Sequence, residues 1–320
     1  MWKFKNFSEF LSRFKKLDLS RKLLAVSCML IAFLYPGHNS LQTLVINPGK
    51  VRTYLLPSPT PVLYPQSDGV TAPPLSARSI IIQDAVSKTI IYSKAPDTKL
   101  MPASITKVMT ALVALDHWSD LNTIIEVKNE DRAIGQTIKL VKGERIILEN
   151  ILYGLLVHSG NDAALAVADN YPGGYANFVE AMNAKAKDLH LTNTVFKNPS
   201  GVEQYGHLTT ARDLAVLSAT ALQNPVIAKM AETKQVVVTD VTGTIVHDLS
   251  TTNELLGIIP GLKGLKTGWT TQSGECLISY VDQGGHKLII VVLGSLDRFG
   301  DTTKLVDWAY AHHEWITPAL

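Results

Sequence analysis

The chain has 320 residues, of which 46% are hydrophobic and 18% are charged, and its formal net charge is +2. This balance excludes a wholly disordered protein and provides enough apolar sequence for one large domain or two small ones. Basic residues are concentrated at the N-terminus and form no stripe elsewhere, so we expect no nucleic-acid partner. The two cysteines, one inside an apolar run and one far downstream, offer no disulfide framework.

The N-terminus carries a membrane-type signal. Seven Lys and Arg residues within positions 3–22 precede an uncharged apolar run at 23–35, and this order places the N-terminus in the cytoplasm and the remainder outside. The run is shorter than the roughly 20 residues that a span requires. No small-x-small cleavage site follows it, which favours an uncleaved anchor over a cleaved signal. We therefore predict a basic cytoplasmic segment at 1–22 and a membrane anchor or signal segment at 23–35.

A proline-rich segment follows. Residues 36–74 contain eight of the fifteen prolines in the chain. Proline favours extended polyproline II backbone. We predict a spacer over 36–74 and a globular region over 75–320.

The globular region opens with a predicted hairpin, residues 79–84 and 89–93, followed by a helix that runs from the Met101-Pro102 entry to about His117. Ser104 and Lys107 stand three residues apart, so their Cβ atoms lie roughly 5–6 Å apart on one helix face. A lysine can take the proton of a serine when burial or a second cation lowers its pKa. An N-capping serine beside a solvated lysine is the alternative for an isolated S-x-x-K match.

A second polar stretch, Ser159-Gly160-Asn161, follows two strand-like segments (124–127 and 143–147) and a helical pattern over 149–156. Another helix is predicted from Ala163. A hydroxyl at 159 can relay protons, and an amide at 161 can orient the lysine and hold a peptide carbonyl. The alternative is a helix stop with a new N-cap.

The third stretch is Gly264-Leu-Lys-Thr-Gly-Trp269, which precedes strand-like segments at 276–281 and 288–293. Lys266 and Thr267 on an edge strand suit the binding of a substrate carboxylate, and Gly268 allows close backbone approach. The Gly-rich lead-in of a phosphate loop is missing. The alternative is a solvated edge-strand lysine that opposes aggregation.

A closing helix is predicted over 302–313. His312 and His313 lack metal-ligand spacing, and His207 is interpreted as a loop or core histidine and not as a catalytic base. We therefore predict neither a metal site nor a cofactor.

The order S-x-x-K, S-x-N, K-T-G resembles that of penicillin-recognising serine enzymes. Longer stretches resemble the D-alanyl-D-alanine carboxypeptidase family of low-molecular-weight penicillin-binding proteins, and together they span about residues 80–315. These stretches are 102–110, 155–164, 196–201, 209–213, 264–268, 298–302 and 307–308.

The resemblance implies an α/β (α+β) fold, in which an antiparallel sheet flanked by helices joins an all-helical part and the site lies between them. It implies that residues 75–320 form a serine D,D-carboxypeptidase domain that removes the terminal D-alanine from peptidoglycan stem peptides. By resemblance, Ser104 attacks the carbonyl between the two D-alanines and Lys107 takes its proton. Ser159, supported by Lys266, passes a proton to the departing D-alanine.

The remaining roles implied by the resemblance concern substrate binding. The backbone amides of Ser104 and Trp269 form the oxyanion hole, and Thr267 and Arg298 lie near the substrate carboxylate. The implied substrate-binding residues are Asn161, Lys266, Thr267, Gly268, Trp269 and Arg298. Partners implied are the stem peptide, β-lactams as covalent inhibitors, and a membrane through the N-terminal segment, with the catalytic domain on the extracytoplasmic side.

Three alternative functions are compatible with parts of this pattern. A D,D-endopeptidase uses the same three motifs. A β-lactamase of the commonest class needs an E-x-x-L-N stretch, which this sequence lacks, and a catalytically silent wall-binding protein is disfavoured because all three motifs are intact. Many relatives add a β-rich domain and a C-terminal membrane helix, and we expect the N-terminal anchor and spacer to replace that tether.

Overall fold

The computed structural model of the protein describes residues 15, 18–34, 62–129 and 133–317. The chain divides into two units, residues 1–60 and residues 61–320. In the first unit, helix α1 (Leu19–Leu34) covers most of the predicted membrane segment. Within the described ranges, no helix combines the length and the apolar character needed to cross a bilayer. Most of the predicted basic segment, and the predicted spacer up to residue 61, lie outside the described residues.

The second unit is built on an antiparallel sheet of five strands in the order β3-β2-β10-β9-β8. Three further antiparallel pairs accompany it, β1 with β11, β4 with β5 and β6 with β7. In chain order the strands are β1 (Tyr64–Ser67), β2 (Ser79–Asp84), β3 (Ile90–Lys94), β4 (Ile124–Glu126), β5 (Arg145–Ile147), β6 (Gln235–Thr239), β7 (Val246–Ser250), β8 (Leu262–Thr270), β9 (Gly274–Gln283), β10 (His286–Ser295) and β11 (His313–Ile316).

Both faces of the five-stranded sheet are buried. Successive residues of β10 alternate between two apolar clusters, with Ile289 and Val291 in one and Ile290 and Val292 in the other. A strand buried on both faces has a continuous apolar sequence without alternation. For this reason the sequence predicted β2, β9 and β10 but did not indicate which residues lie on which face.

Helices cover the two faces unequally. The face that contains Ile81 and Ile289 packs against six helices of the second unit, which all contribute to the same apolar cluster. Among the described helices, only the last lies on the opposite face, through Leu305, Val306 and Ala309. The fold class predicted from the resemblance is confirmed. The helices of this unit are α2 (Lys107–His117), α3 (Leu148–Leu156), α4 (Asn161–Asn170), α5 (Gly174–Asp188), α6 (Ala211–Ala221), α7 (Pro225–Ala231) and α8 (Arg298–Ala311).

The folded unit begins earlier than the composition predicted. Strand β1 falls inside the predicted 36–74 spacer, yet its residues Tyr64 to Ser67 pair with Ile316 to His313 of β11. Trp315 of β11 stacks on His286 with ring centroids 4.2 Å apart, which fixes this pair against the main sheet. A proline within β1 is tolerated because β1 pairs on one side only. Proline content therefore placed the boundary at residue 75 too late.

The start of the closing helix also differs from the prediction. Helix α8 begins at Arg298 and not at Thr302, because the side chain of Asp297 caps it by accepting a hydrogen bond from Gly300 N at 2.8 Å. The added turn brings Arg298 beside the end of β8. Helix α4 likewise begins at Asn161, two residues before the predicted start.

Candidate active site

Ser104 lies in a tight turn that leads into α2. The turn is a 3₁₀ segment, Ala103–Thr106, and the α-helix begins at Lys107, so Ser104 precedes the helix and does not occupy its first turn as predicted. Ala103 has a φ of 50°, a left-handed conformation that a residue with a Cβ rarely adopts. Such strain persists only where the surroundings impose it, and it commonly marks a functional site.

Lys107 is completely buried and contacts three oxygen atoms. Its Nζ lies 2.8 Å from Ser104 Oγ, 2.6 Å from Asn161 Oδ1 and 2.7 Å from the carbonyl oxygen of Ser200. The two carbonyl oxygens can only accept hydrogen bonds, whereas the serine hydroxyl can also donate. A neutral amine therefore satisfies all three contacts by donating to the carbonyls and accepting from Ser104.

The electrostatics of the site favour that neutral amine. Burial, and then the charge of Lys266, hold the pKa of Lys107 well below its ordinary value, and Asp162 opposes the shift. A neutral amine in contact with the Ser104 hydroxyl has the chemistry to accept its proton. The alternative of a solvated lysine is contradicted by this burial.

The Ser159–Asn161 stretch forms the junction between α3 and α4. Ser159 has a φ of 66° and is 5% exposed. The backbone amide of Asn161 donates to the carbonyl of Gln136 at 2.7 Å, and its side-chain amide donates to the carbonyl of Ile134. The two nitrogen atoms of Asn161 therefore hold a neighbouring loop, and its side-chain oxygen Oδ1 holds Lys107 in place.

Strand β8 forms the opposite wall and lies at the edge of the sheet, as predicted. Lys266 is 1% exposed, and burial together with the charge of Arg298 lowers its pKa to about 7. The alternative of a solvated edge-strand lysine is therefore wrong. The hydroxyl of Thr267 shares a hydrogen bond with that of Thr252.

Gly268 brings β8 into direct contact with the Ser104 turn. A Cβ at this position would lie 3.1 Å from Ser104 N and equally close to the Pro102 oxygen. A side chain here would force the strand or the turn to shift by a few tenths of an ångström, so glycine favours this close approach.

Arg298 and Trp269 complete the edge of the site. Arg298 Nη1 donates to the carbonyl of Gly268 at 3.0 Å, and its backbone amide donates to Glu275 at 2.8 Å. The buried Nε atom of Arg298 has no hydrogen-bond partner among the described residues. Trp269 is 61% exposed and stands at the rim.

A cavity of about 490 Å³ joins these groups. Seven of the nine predicted site residues line it, and Lys107 and Lys266 lie buried behind its walls. Within the described residues, no three His, Cys, Asp or Glu side chains are arranged to hold a metal ion. The lining residues predicted from sequence are Ser104, Ser159, Asn161, Thr267, Gly268, Trp269 and Arg298.

Sequence reasoning missed four participants in this site. Thr252, Gln136 and Glu203 line the cavity, and the carbonyl of Ser200 contacts Lys107. The stretch that contains Ser200 was used only as a point of resemblance. Its Asn-Pro-Ser-Gly sequence is a turn signal, but a backbone carbonyl leaves no side-chain signature.

His207 has a structural position, consistent with its interpretation as a core histidine. It is 2% exposed, and its Nε2 lies 3.0 Å from the hydroxyl of Thr106. Because Thr106 donates to the carbonyl of Ala103 at 2.8 Å, its oxygen accepts from His207. The imidazole thus supports the Ser104 turn from behind.

A serine beside a buried lysine, facing a second serine and a lysine-bearing edge strand on this fold, defines a penicillin-binding type of serine acyl-transfer enzyme. Residues 66–296 match the D-alanyl-D-alanine carboxypeptidase family. The chain belongs to this family, and it is a serine-type D-Ala-D-Ala carboxypeptidase.

Individual relatives support membership of the family and carry two activity names. A D-alanyl-D-alanine carboxypeptidase of Bacillus subtilis is 33% identical over 265 residues, covering 79% of this chain and 68% of the relative. A D-alanyl-D-alanine endopeptidase of Escherichia coli is 32% identical over 244 residues, 74% of this chain and 78% of the relative. The crystal structure of a Mycobacterium tuberculosis D-alanyl-D-alanine carboxypeptidase superposes with a TM-score of 0.72 at 31% identity, covering 80% of this chain and 99% of that one.

Proposed function

We propose that the protein cleaves the terminal D-alanine from peptidoglycan stem peptides through an acyl-enzyme on Ser104. The observation that carries this proposal is the contact of 2.8 Å between Lys107 Nζ and Ser104 Oγ, made by a lysine with a strongly lowered pKa. Lys107 accepts the hydroxyl proton as Ser104 Oγ attacks the carbonyl carbon between the two D-alanines.

The negative charge that develops on the carbonyl oxygen is stabilised by the backbone amides of Ser104 and Trp269. The close packing of Gly268 against Ser104 N supports this pairing, because it brings the two backbones together. Donors of this kind typically contribute about 3 to 4 kcal/mol each to transition-state stabilisation.

The terminal carboxylate of the substrate binds at Thr267 and Arg298. Both line the cavity on the β8 side, and the unpartnered Nε atom of Arg298 is a buried donor beside it. An Arg donor is well suited to a carboxylate. Nearby Lys266 adds positive potential while it is protonated.

The departing D-alanine receives a proton through the Ser159 hydroxyl, which lines the cavity opposite β8. Lys266, with a pKa of about 7, adds positive charge that favours this transfer while it is protonated. The proton comes from Lys107, which took it from Ser104 and is a neutral amine again after the transfer. A water molecule then adds to the ester carbonyl, and Lys107 takes one proton from the water and returns one to Ser104 Oγ as the shortened peptide leaves.

The experiment that tests this proposal is the intact mass of the protein after incubation with benzylpenicillin. We expect a covalent adduct on the native chain and none on Ser104→Ala, because only the serine hydroxyl can open the lactam. An adduct that persisted on a folded Ser104→Ala variant would place the nucleophile elsewhere, and no adduct on either chain would favour a silent wall-binding protein.

A D,D-endopeptidase is the second candidate, favoured by a relative of that name at 32% identity. The two activities differ in the substrate group beyond the scissile bond, which is a free D-alanine for the carboxypeptidase and a cross-linked strand for the endopeptidase. Release of D-alanine from a pentapeptide, measured beside cleavage of a cross-linked dimer, separates them.

We also propose that the basic segment and the apolar run anchor the protein with its catalytic domain outside the cytoplasm. The support is the charge pattern of residues 1–35, since a basic flank before an apolar run orients a segment in this way. Fractionation of cells that make the full chain tests the anchor. Recovery in the soluble fraction would contradict it.

A further inference from the structure

Glu203 carries the only carboxylate among the residues described as lining the active-site cavity. Arg298 is the other charged side chain in that lining. Glu203 is half-buried and also borders an adjoining cavity of about 220 Å³. The proposed mechanism uses Arg298 and leaves Glu203 without a role.

A hydrogen bond to the turn after β8 places Glu203 beside the end of this strand. Its carboxylate accepts a hydrogen bond of 2.7 Å from the backbone amide of Gln272, in the turn that follows Thr270. Thr270 stands three residues beyond Thr267, roughly 10 Å along an extended strand. Glu203 therefore lies near the end of the strand that is farther from the proposed carboxylate site.

A stem peptide bound along β8 extends to the end of the strand where Glu203 lies. If its terminal carboxylate binds at Thr267, as the proposed function requires, the residue before the two D-alanines lies roughly 7 Å farther along the peptide. That residue of a stem peptide is a diamino acid, whose side chain ends in an amine. Such a side chain is long enough to reach the turn at Gln272 when it points towards Glu203.

We propose that Glu203 binds the side-chain ammonium of the residue that precedes the two D-alanines, and that this contact selects stem peptides whose amine is free. This inference rests on the proposed function, because it takes the direction of the peptide from the carboxylate site. An amine that has been acylated, as in a cross-link, carries no charge and gains nothing from the contact.

The electrostatics of Glu203 fit this role. Hydrogen bonds from Gln272 and Thr270 hold its pKa below the ordinary value, so it is ionised at neutral pH. A carboxylate offers about four acceptor positions, so the bond to Gln272 leaves room for an ammonium. The adjoining cavity gives a longer side chain space beside the carboxylate.

The test compares two peptides on the full-length protein. One is Nα-acetyl-L-Lys-D-Ala-D-Ala, and the other also carries an acetyl group on the side-chain amine. The variant Glu203→Gln keeps an oxygen to accept from Gln272 N while it removes the charge. The matched control is Glu254→Gln, which removes an exposed carboxylate outside the cavity lining.

We expect Glu203→Gln to lower kcat/KM for the free-amine peptide by about two- to tenfold, the net contribution of one hydrogen bond at a half-buried site. The diacetyl peptide should be cleaved equally by Glu203→Gln and the native protein, and Glu254→Gln should leave the ratio of the two peptides unchanged. A purely structural role for Glu203 would slow both peptides alike, and that result would overturn the inference.

The failure of the inference is distinguishable from failure of the proposed function. An unchanged peptide ratio in Glu203→Gln, with D-alanine still released, would contradict the inference alone. If no variant and no peptide released D-alanine, the proposed function would fail, and the inference with it.

Discussion

At the scale of single residues, the site depends on two lysines whose burial the sequence did not reveal. The spacing of Ser104 and Lys107 predicted their contact, since three residues set neighbours on a helical turn. The complete burial of Lys107 and Lys266 depends on distant segments, including the Ser200 carbonyl and Asn161. Spacing rules are local, so they predicted the pair and could not predict its desolvation.

The role of Lys107 gives the first prediction. In Lys107→Arg the guanidinium stays protonated at every working pH, so it cannot take the Ser104 proton. We expect the rate of acylation by benzylpenicillin to fall roughly 10²- to 10⁴-fold, the range that general-base catalysis contributes. Stopped-flow or timed mass measurements of adduct formation report this rate.

The matched control is Lys304→Arg, at an exposed position of α8, which should acylate at the native rate. Circular dichroism establishes that both variants fold. An acylation rate in folded Lys107→Arg equal to that of the control would remove Lys107 from the role of base.

At the scale of elements, the site is held together where the loop after Asn198 crosses the Ser104 turn. Gly201 has a φ of 86°, and a Cβ there would overlap the carbonyl of Ala103 and lie 2.9 Å from Thr106 Oγ1. Asn198 holds the loop by accepting from Gly201 N at 2.7 Å. The Asn-Pro-Ser-Gly sequence of this loop is a turn signal, but its contact with a turn almost 100 residues earlier has no local signal.

Replacement of Gly201 by alanine gives the second prediction. Two costs act together, the positive φ and the overlap with the Ser104 turn. Gly243→Ala is a matched control, since Gly243 has a φ of 73° and nothing within 4 Å of an added Cβ. We expect Gly201→Ala to lose about 1–3 kcal/mol more free energy of unfolding than Gly243→Ala.

The same substitution should also slow acylation, because a displaced loop moves the Ser200 carbonyl away from Lys107. Urea unfolding gives the stability difference and benzylpenicillin acylation gives the rate. Equal losses of stability in the two alanine variants would mean that the loop adapts without disturbing the turn.

At the scale of the whole molecule, the strands of the main sheet could be predicted and their order could not. Apolar runs indicated β2, β9 and β10, yet β2 pairs with β10 across some 200 residues. Local patterns were also not used to assign helices α5 to α7. The resemblance to a known family supplied the architecture that these local signals leave open.

The last prediction concerns a buried histidine that makes the free energy of unfolding depend on pH. His207 Nε2 donates to Thr106, and its Nδ1 accepts from the Lys197 amide at 3.4 Å, so a second proton on Nδ1 would face a donor. Burial and the charge of Lys197 lower the pKa of His207 from 6.5 to about 4.

The pKa of His207 is lower in the folded protein than in the unfolded chain. The contribution of neutral His207 to the free energy of unfolding is therefore complete above pH 6.5 and declines as the pH falls towards 4. Between pH 7.5 and 4.5 we expect the native protein to lose about 2 to 3 kcal/mol more unfolding free energy than His207→Gln, which has no titrating group at this position. Urea unfolding at the two pH values measures the difference.

The control His190→Asn, at an exposed site, should follow the native protein. If His207→Gln lost as much unfolding free energy as the native chain between these pH values, another group would be responsible for the acid sensitivity. Protonation of His207 behind the Ser104 turn would then not be its cause.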